Sequence, residues 1–254
     1  SLLRIKSLYD QVERQASQLA EWNAELERRV AEQVGQVERL SRLKRFLSPQ
    51  LAQLILAGGA EDPLASHRRE VTVVFLDLRG FTQFAETAEP EEVMAVLREF
   101  HAVTGRLIHA HEGTLERFTG DGMMVFFNDP IPVPDPTERA VRMALAMRDA
   151  ARALTQGWER RGFQLALGIG IAQGYATIGA IGFEDRIDYG AIGTVTNLAA
   201  RLCAEAAGGE ILTNRRTLAA VEGLVEFRDA GELHLKGFSN PVPAVRVLGW
   251  KGPA

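Results

Sequence analysis

Apolar strand patterns and amphipathic helical patterns alternate along the chain from residue 71 onward. Residues 71–78 form a β-branched apolar run that predicts a buried strand, and apolar residues at helical spacing follow over 90–110. Two short strand patterns then flank an Asp-Gly turn at 121–122, and a second long helical pattern covers 137–160. With the strand pattern that begins at residue 163, the order becomes strand, helix, strand, strand, helix, strand.

This order predicts an α+β fold, a ferredoxin-like βαββαβ domain with a mixed sheet, extended by further elements. Two strands, 163–172 and 175–181, are expected on either side of Gln173-Gly174. A glycine-containing segment and then a helix over 194–205 should follow. Short strands are expected near 210–212, 225–227, 232–235 and 242–248.

Residues 1–47 differ from the rest, because they contain no proline and a single glycine, Gly35. Apolar residues recur at the three-and-four spacing of a coiled-coil seam, which slips by one position around Gly35. The pattern predicts either a dimerisation stalk that tolerates a defect or a signalling helix with two competing registers. We expect a short helix and linker over 48–69 and a catalytic domain over 70–250. The seam residues are Ile5, Leu8, Val12, Leu19, Trp22, Leu26, Leu40, Leu43 and Leu47.

Composition narrows the functional classes. The chain has 29 basic and 33 acidic residues, so its formal net charge of -4 gives no positive surplus for binding nucleic acid. No apolar run approaches the roughly 18 residues of a membrane-spanning helix. The single cysteine, Cys203, fits a reducing cytoplasm. Because the chain begins at Ser1 without a methionine, we expect it to be a segment of a longer protein.

Two aspartates stand at predicted element ends. Asp77 closes the first buried strand, where an unpaired charge is costly, and Asp121 occupies the tip of the predicted hairpin. In a βαββ arrangement these two positions come together, and paired carboxylates beside phosphate suit Mg²⁺. Taken singly, Asp77 also fits a helix cap and Asp121 an ordinary turn residue.

Four segments in this order resemble the class III nucleotide cyclases, the adenylate and guanylate cyclase catalytic domains. The helix before them, over 19–49, resembles the linkers that join sensor domains, GAF domains among them, to such cyclases. The four segments are Phe75-Leu76-Asp77-Leu78-Arg79-Gly80-Phe81-Thr82, Phe118-Thr119-Gly120-Asp121-Gly122, Ala191-Ile192-Gly193-Thr194-Val195-Thr196-Asn197-Leu198-Ala199-Ala200-Arg201-Leu202 and Leu235-Lys236-Gly237.

The resemblance implies that Asp77 and Asp121 hold two Mg²⁺ or Mn²⁺ ions per site. The ribose 3′-hydroxyl of a nucleoside triphosphate would then attack the α-phosphate and release pyrophosphate. Other site residues have implied roles as well. Asn197 would orient the ribose, Arg201 would stabilise charge on the α-phosphate, Lys236 would contact the triphosphate, and the backbone at Leu78, Arg79, Gly80, Phe81 and Thr82 would cradle phosphate.

Partners follow from the same resemblance. The metal aspartates would come from one chain and the asparagine, arginine, lysine and base-recognition groups from a second copy. A parallel homodimer, joined through the coiled coil and regulated by an upstream sensor domain, is therefore expected.

Base recognition departs from the family pattern. Arg117 stands where adenylate-forming members usually carry lysine, and Gly190 stands where they carry Asp or Thr. Guanylate-forming members typically carry an acidic residue at the first position, so Arg117 favours ATP. Gly190 offers no side-chain acceptor for the adenine amino group, although Glu116 or Asp188 lies near enough in sequence to compensate. Relaxed specificity, including GTP or a pyrimidine nucleotide, stays open.

Two other classes compete with an active cyclase. A diguanylate cyclase would carry a Gly-Gly-Asp/Glu-Glu-Phe hairpin, whereas Thr119-Gly120-Asp121-Gly122 stands there. A degenerate, nucleotide-binding regulatory module is the second alternative. The presence of both aspartates together with Asn197 and Arg201 argues against it.

Overall fold

The computed structural model describes residues 64–183 and 186–252, together with scattered positions between 15 and 33. The chain divides into two compact units, Ser1–Ala52 and Gln53–Ala254. In the first unit the described positions are helical, and the seam residues Leu19, Trp22 and Leu26 are exposed. The rest of the predicted seam, and the linker up to residue 63, lie outside the described residues, so the coiled coil and these boundaries stay predictions.

The second unit alternates strands and helices in the predicted order. Its elements are β1 (His67–Arg79), α1 (Phe81–Thr87), α2 (Pro90–Ala110), β2 (Thr114–Phe118), β3 (Met123–Phe127), α3 (Pro136–Glu159), β4 (Ala166–Phe183), β5 (Arg186–Ile192), α4 (Thr194–Glu205), β6 (Ile211–Asn214), α5 (Arg215–Ala219), β7 (Val225–Leu233) and β8 (Val242–Trp250).

These strands form a mixed sheet in the order β2-β3-β1-β4-β6-β8-β7, with β5 paired to β4. β1 lies antiparallel between β3 and β4, while β4 and β6 run parallel. The first four strands thus confirm the predicted ferredoxin-like arrangement, and the remaining strands extend it. No helix in the described part of the chain is long and apolar enough to cross a membrane.

The predicted break at Gln173-Gly174 is wrong, because β4 is one continuous strand. It pairs with β1 from Arg79↔Ala166 to His67↔Ile178, and Gly174 lies within that ladder opposite Val71. β4 then turns back as β5, which occupies the expected glycine-containing segment. Glycine and Gln-Gly pairs suggest turns locally, but thirteen residues of β1 supply a hydrogen-bonding edge that outweighs that preference.

Two smaller expectations are also corrected. β1 begins at His67, so the end of the predicted linker belongs to the sheet. β7 is one strand with two register shifts against β8, and the predicted separate strand over 232–235 does not exist, since pairing ends at Leu233↔Val242.

The main core lies between one face of the sheet and helices α2 and α3. Helix α2 starts with Pro90 and a capping box between Glu89 and Glu92, and it buries Val96 and Phe100 against the sheet. Helix α3 contributes Trp158, whose Nε1 donates to Glu99 Oε2 at 2.7 Å. Burying a large apolar side chain of this kind contributes about 1.5–3 kcal/mol.

Helix α4 packs closely against β4. A Cβ built on Gly170 would overlap the backbone nitrogen of Cys203, so only glycine permits this approach of helix and strand. Cys203 is buried there as a small apolar residue, and burial raises the pKa of its thiol to about 12. The close packing fixes where the exposed face of α4 lies relative to the sheet.

Candidate active site

Asp77 and Asp121 come together at one end of the sheet. Asp77 lies near the end of β1, and Asp121 lies in the turn between β2 and β3, next to the Leu76↔Met123 pair that joins β1 to β3. A Cβ on Gly122 would stand 2.7 Å from the Leu76 carbonyl oxygen and 2.9 Å from Asp77 Oδ1. The turn is therefore closed tightly over the first carboxylate, and it needs glycine for this contact.

The electrostatics of the two carboxylates suit a divalent cation. Burial raises the pKa of Asp121, and the negative charge of Asp77 raises it further. Both carboxylates ionised side by side would repel each other unless a cation lay between or beside them. The oxygen donors match Mg²⁺ and Mn²⁺. Among the described residues no group of three or more His, Cys, Asp or Glu side chains forms a metal site, so backbone oxygens, phosphate or water would have to complete the coordination.

Arg79 joins Asp77 to helix α4. Its Nη1 donates to Asp77 Oδ2 at 2.9 Å, its Nε donates to the Ala206 carbonyl at 2.8 Å, and its Nη2 donates to the Cys203 carbonyl. The guanidinium covers Gly168, where a Cβ would stand 2.6 Å from Nη2. The Arg79 side chain is thus engaged within the protein, which leaves the backbone of this turn as the group able to meet a phosphate.

That turn has the geometry of a strand-to-helix connection. Gly80 has φ +81° and caps α1, and a Cβ on it would lie 2.5 Å from the Gln164 carbonyl oxygen. Leu78 is buried and Phe81 packs against the core, so neither presents its side chain to a ligand. The first amides of α1, from Phe81 and Thr82, lack partners within the helix, as at any helix start.

Asn197 and Arg201 lie one turn apart on the exposed side of α4. Within the described part of the chain, neither side chain forms a hydrogen bond or ion pair. An exposed amide and an exposed guanidinium on the same face are available to a ligand or to a second chain.

Lys236 lies in the loop between β7 and β8. It begins the Lys236-Gly237 turn after β7 instead of ending a strand, because the β7–β8 ladder stops at Leu233. Leu235 is buried in a small cluster with Leu202 of α4, so the loop is held near that helix while Lys236 itself is exposed.

The predicted base-recognition residues meet through a third residue, Glu116. Arg117 lies on β2 and Gly190 on β5. A Cβ on Gly190 would stand 2.5 Å from Glu116 Oε1, and Arg117 Nη2 lies 2.5 Å from the same oxygen. From the sequence, Glu116 is only one of two acidic residues that could compensate for Gly190. A strand pattern does not indicate which charged side chain turns into the protein.

A second buried carboxylate, Asp129, was missed by the sequence analysis. Its side chain is fully buried and accepts hydrogen bonds from His67 Nε2 at 2.7 Å and from the Tyr189 hydroxyl, and Arg69 Nη1 lies 3.1 Å from it. The network ties the start of β1 to β5, one residue before Gly190. The only sequence signal is that Asp129 precedes prolines at every second position from Pro130 to Pro136, which does not indicate that its side chain is buried.

Large apolar side chains are exposed on β2, β4 and β5. Strand β2 carries Arg117, β5 carries Gly190, and β4 pairs with β5. Exposed apolar side chains close to a site are typical of a surface that another molecule covers. They are Phe118 (53% exposed), Tyr175 (51%), Phe183 (67%) and Ile192 (60%).

Comparison with known proteins matches this fold and these segments to one family. The family model described as "Adenylate and Guanylate cyclase catalytic domain" matches residues 64–246. Adenylate cyclase 1 of Rhizobium meliloti (strain 1021) is 32% identical over 207 residues, which are 80% of this chain and 31% of that protein. The chain spans between about a third and two fifths of the length of curated relatives that it matches.

Two solved structures are similar over most of their length. The adenylyl cyclase CyaB from P. aeruginosa has a TM-score of 0.70 and 36% identity, and the match covers 73% of this chain and 96% of that one. The guanylyl cyclase Cya2 has a TM-score of 0.69 and 35% identity, with 74% and 96% covered. One of these proteins is named an adenylyl cyclase and the other a guanylyl cyclase, so overall similarity does not distinguish ATP from GTP as the substrate.

Proposed function

The chain belongs to the family of adenylate and guanylate cyclase catalytic domains, and on that premise we propose that it converts ATP into 3′,5′-cyclic AMP and pyrophosphate. The class III cyclase fold positions the residues of the site. The observation that carries the proposal is the pair of carboxylates, Asp77 and Asp121, held against each other by the Gly122 turn. An oxygen-donor pair of this kind is built to hold cations next to phosphate.

The metal ions would be held by Asp77 and Asp121. When bound, Mg²⁺ or Mn²⁺ supplies activation of the ribose hydroxyl and neutralisation of phosphate charge. The chain's own contribution is placement. Arg79 keeps the Asp77 carboxylate in a fixed orientation through a 2.9 Å bond, and the tight Gly122 turn keeps Asp121 beside it.

Asn197 and Arg201 would act on the sugar and the α-phosphate. The amide of Asn197 is able to donate to and accept from a ribose, and the permanently charged, planar guanidinium of Arg201 suits the charge that develops on a transferring phosphate. Their exposure on α4 fits a role toward a ligand at the face of the domain. Lys236, exposed in its turn, would add positive charge to the triphosphate end.

We place the working site between two copies of the chain. Asp77 and Asp121 lie at one end of the sheet, whereas Asn197 and Arg201 project from the exposed face of α4. The exposed apolar side chains of β2, β4 and β5 give a second copy a surface to cover. The exposed seam residues of the N-terminal helix would join the copies in parallel and pass on the state of an upstream sensor.

ATP is favoured over GTP because of Arg117. A guanidinium only donates hydrogen bonds, and adenine presents an acceptor at N1 where guanine presents an N–H donor. Relaxed or other base specificity is the second candidate. It is favoured by Gly190, which has no side chain to accept from the adenine amino group, and by the 35% identity to a protein named guanylyl cyclase.

The direct experiment is a four-nucleotide assay. Purified protein is incubated separately with ATP, GTP, CTP and UTP in Mg²⁺ or Mn²⁺, and the cyclic products are separated by chromatography. We expect cyclic AMP as the main product. A larger yield from GTP or a pyrimidine nucleotide would overturn the choice of ATP, and no product from any nucleotide would favour the degenerate module.

A further inference from the structure

Glu116 stands at an irregularity in strand β2. The pairing of β2 with β3 shifts register between Leu115 and Arg117, so Glu116 is the extra residue of a bulge. A bulge redirects a side chain, and here it turns Glu116 inward while Arg117 points outward. The Glu116 side chain is 2% exposed and that of Arg117 is 59% exposed.

The Glu116 carboxylate fills the space of a missing side chain. A Cβ on Gly190 would meet Glu116 Oε1 at 2.5 Å and Ile181 Cδ1 at 2.9 Å. Position 190 is therefore glycine because the carboxylate from the neighbouring strand already occupies its side-chain volume. An acidic group is present at this point of the domain, although the residue at 190 does not supply it.

Burial of this carboxylate has a physical cost. Among the described residues no donor meets Oε2 with full hydrogen-bond geometry. Burial raises the pKa of the Glu116 carboxyl, an effect that the adjacent Arg117 and the backbone of Ala191 partly offset. A buried polar atom without a partner is unfavourable by about 1–3 kcal/mol. This cost is partly offset by a charged side chain in contact with the carboxylate.

That contact is Arg117. Its Nη2 lies 2.5 Å from Glu116 Oε1, and the guanidinium keeps further N–H donors that face outward because most of the side chain is exposed. Held by one edge, a planar guanidinium presents its other donors in a fixed direction. An unpaired arginine side chain loses conformational entropy when it binds a ligand. The bond to Glu116 already restricts Arg117, so less entropy is lost on binding.

We propose that Glu116 is a positioning residue for base recognition: it takes the place of a side chain at position 190 and aims Arg117 at the acceptor edge of the purine. This proposal rests on the proposed function and sharpens its substrate class, because a donor fixed toward N1 of the purine ring matches adenine, which has an acceptor there, and not guanine, which has an N–H donor there. Guanine would need an accessible carboxylate for its N–H donors, and that of Glu116 is buried and engaged.

The test compares Glu116→Gln with a matched pair elsewhere. Glu138 forms an ion pair with Arg142 on α3, so Glu138→Gln removes an arginine-paired carboxylate that belongs to neither β2 nor β5. For Glu116→Gln we expect KM for ATP to rise about tenfold while kcat changes little, and the ATP-to-GTP preference in kcat/KM to fall about tenfold. Glu138→Gln should leave both quantities as in the wild type.

A second pair of variants separates positioning from general damage. Gly190→Ala should displace the carboxylate and reduce the ATP preference as Glu116→Ala does. In the double variant Glu116→Ala/Gly190→Ala the carboxylate is gone and only the flexible end of Ile181 has to shift, so the second substitution should add no further loss. Thermal unfolding shows whether each variant is folded. A loss of stability alone would lower kcat/KM for ATP and for GTP equally and would leave their ratio unchanged.

Binding measurements make the result independent of turnover. Calorimetric titration with non-cyclisable analogues of ATP and GTP gives the same preference as a ratio of Kd values. An inactive wild type in the four-nucleotide assay would overturn the proposed function. The ratio of the Kd values for the two analogues would still test the role of Glu116. An unchanged nucleotide preference in Glu116→Gln and Gly190→Ala, by both assay and binding, would overturn the role of Glu116.

Discussion

Arg79 donates to Asp77 at 2.9 Å and, with the rest of its guanidinium, to the Ala206 and Cys203 carbonyls at the end of α4. One side chain therefore connects a proposed metal ligand to the helix that carries Asn197 and Arg201. If the two belong to different composite sites of a homodimer, Arg79 links those sites within each copy. The fork of an arginine is required, since lysine has one nitrogen to serve all three acceptors.

We predict that Arg79→Lys lowers kcat about tenfold, because an ammonium cannot bind Asp77 and both carbonyls at once. The loss of hydrogen bonds to α4 should also lower the free energy of unfolding by about 1–2 kcal/mol. Steady-state kinetics and urea unfolding measure the two effects. Arg142→Lys on α3, whose guanidinium lies over the ring of Trp250, is the control. A variant with wild-type kcat would show that this link is dispensable.

The carboxylate pair predicts metal-dependent stability. In the wild type, Mn²⁺ at a hundred times its Kd should raise the free energy of unfolding by about 2.7 kcal/mol. Asp121→Asn should lose this increase, because one of two carboxylates is gone. The same variant should be at least as stable as the wild type without metal, since the repulsion from Asp77 that raises the pKa of Asp121 is removed. Thermal scans with and without Mn²⁺ measure both effects, and an equal metal-induced shift in the variant would exclude Asp121 as a ligand.

Much of the fold was predictable because local patterns and topology agree. Helix α4 has the bounds that its apolar spacing indicates, and the Asp-Gly turn joins β2 to β3 as expected. The sequence pattern predicts two strands in place of β4, because Gly174 suggests a turn when only neighbours in sequence are considered. Its partner strand decides otherwise, and pairing between distant segments is not encoded in a local pattern.

The candidate site was predictable to the level of residue type. Asp77 and Asp121 stand at element ends, a position that the strand and turn signals show directly. Glu116 and Asp129 were less accessible to sequence reasoning, because their burial depends on a bulge and on a loop that closes over β1. The side chains of Leu78, Arg79 and Phe81 point into the protein, a direction that the motif alone does not specify.

The buried Asp129 network predicts a pH-dependent stability. The hydrogen bond from His67 to Asp129 raises the pKa of His67, so the stabilisation is present below the ordinary histidine pKa and is lost as pH rises through the raised value. Because the imidazole is partly exposed and lies near Arg69, we expect a loss below about 1 kcal/mol between acidic and alkaline conditions. Urea unfolding across pH 6–9, an interval about the ordinary His pKa, measures it.

His67→Gln should flatten that dependence, whereas Tyr189→Phe should leave it in place. Tyr189→Phe removes the hydroxyl that donates to Asp129 and should lower the free energy of unfolding by about 1–3 kcal/mol at every pH. Stability of His67→Gln that still falls with rising pH by the wild-type amount would assign the effect to another group.

We expect Gly→Ala to change the stability of the domain in opposite directions at two positions, Gly170 and Gly105. Gly170→Ala places a Cβ against the backbone of α4 at Cys203 and should destabilise the domain by about 1–3 kcal/mol or more, as overpacking does. Gly105 lies within α2 with open space around its Cβ position, so Gly105→Ala should stabilise by about 0.5–1 kcal/mol. Thermal unfolding of both variants measures the difference. Equal effects would mean that α4 does not lie directly on β4.

Complementation between inactive variants tests the composite site. Asp77→Ala and Arg201→Ala should each abolish activity, because each removes one half of both sites in a homodimer. In an equimolar mixture that exchanges subunits freely, half of the dimers are mixed, and each of these contains one intact site, so about a quarter of the wild-type activity should return. Mixing Asp77→Ala with Asp121→Ala is the control and should restore nothing, since both residues belong to the same half. Activity in the first mixture no higher than in the control would place the whole site within one chain.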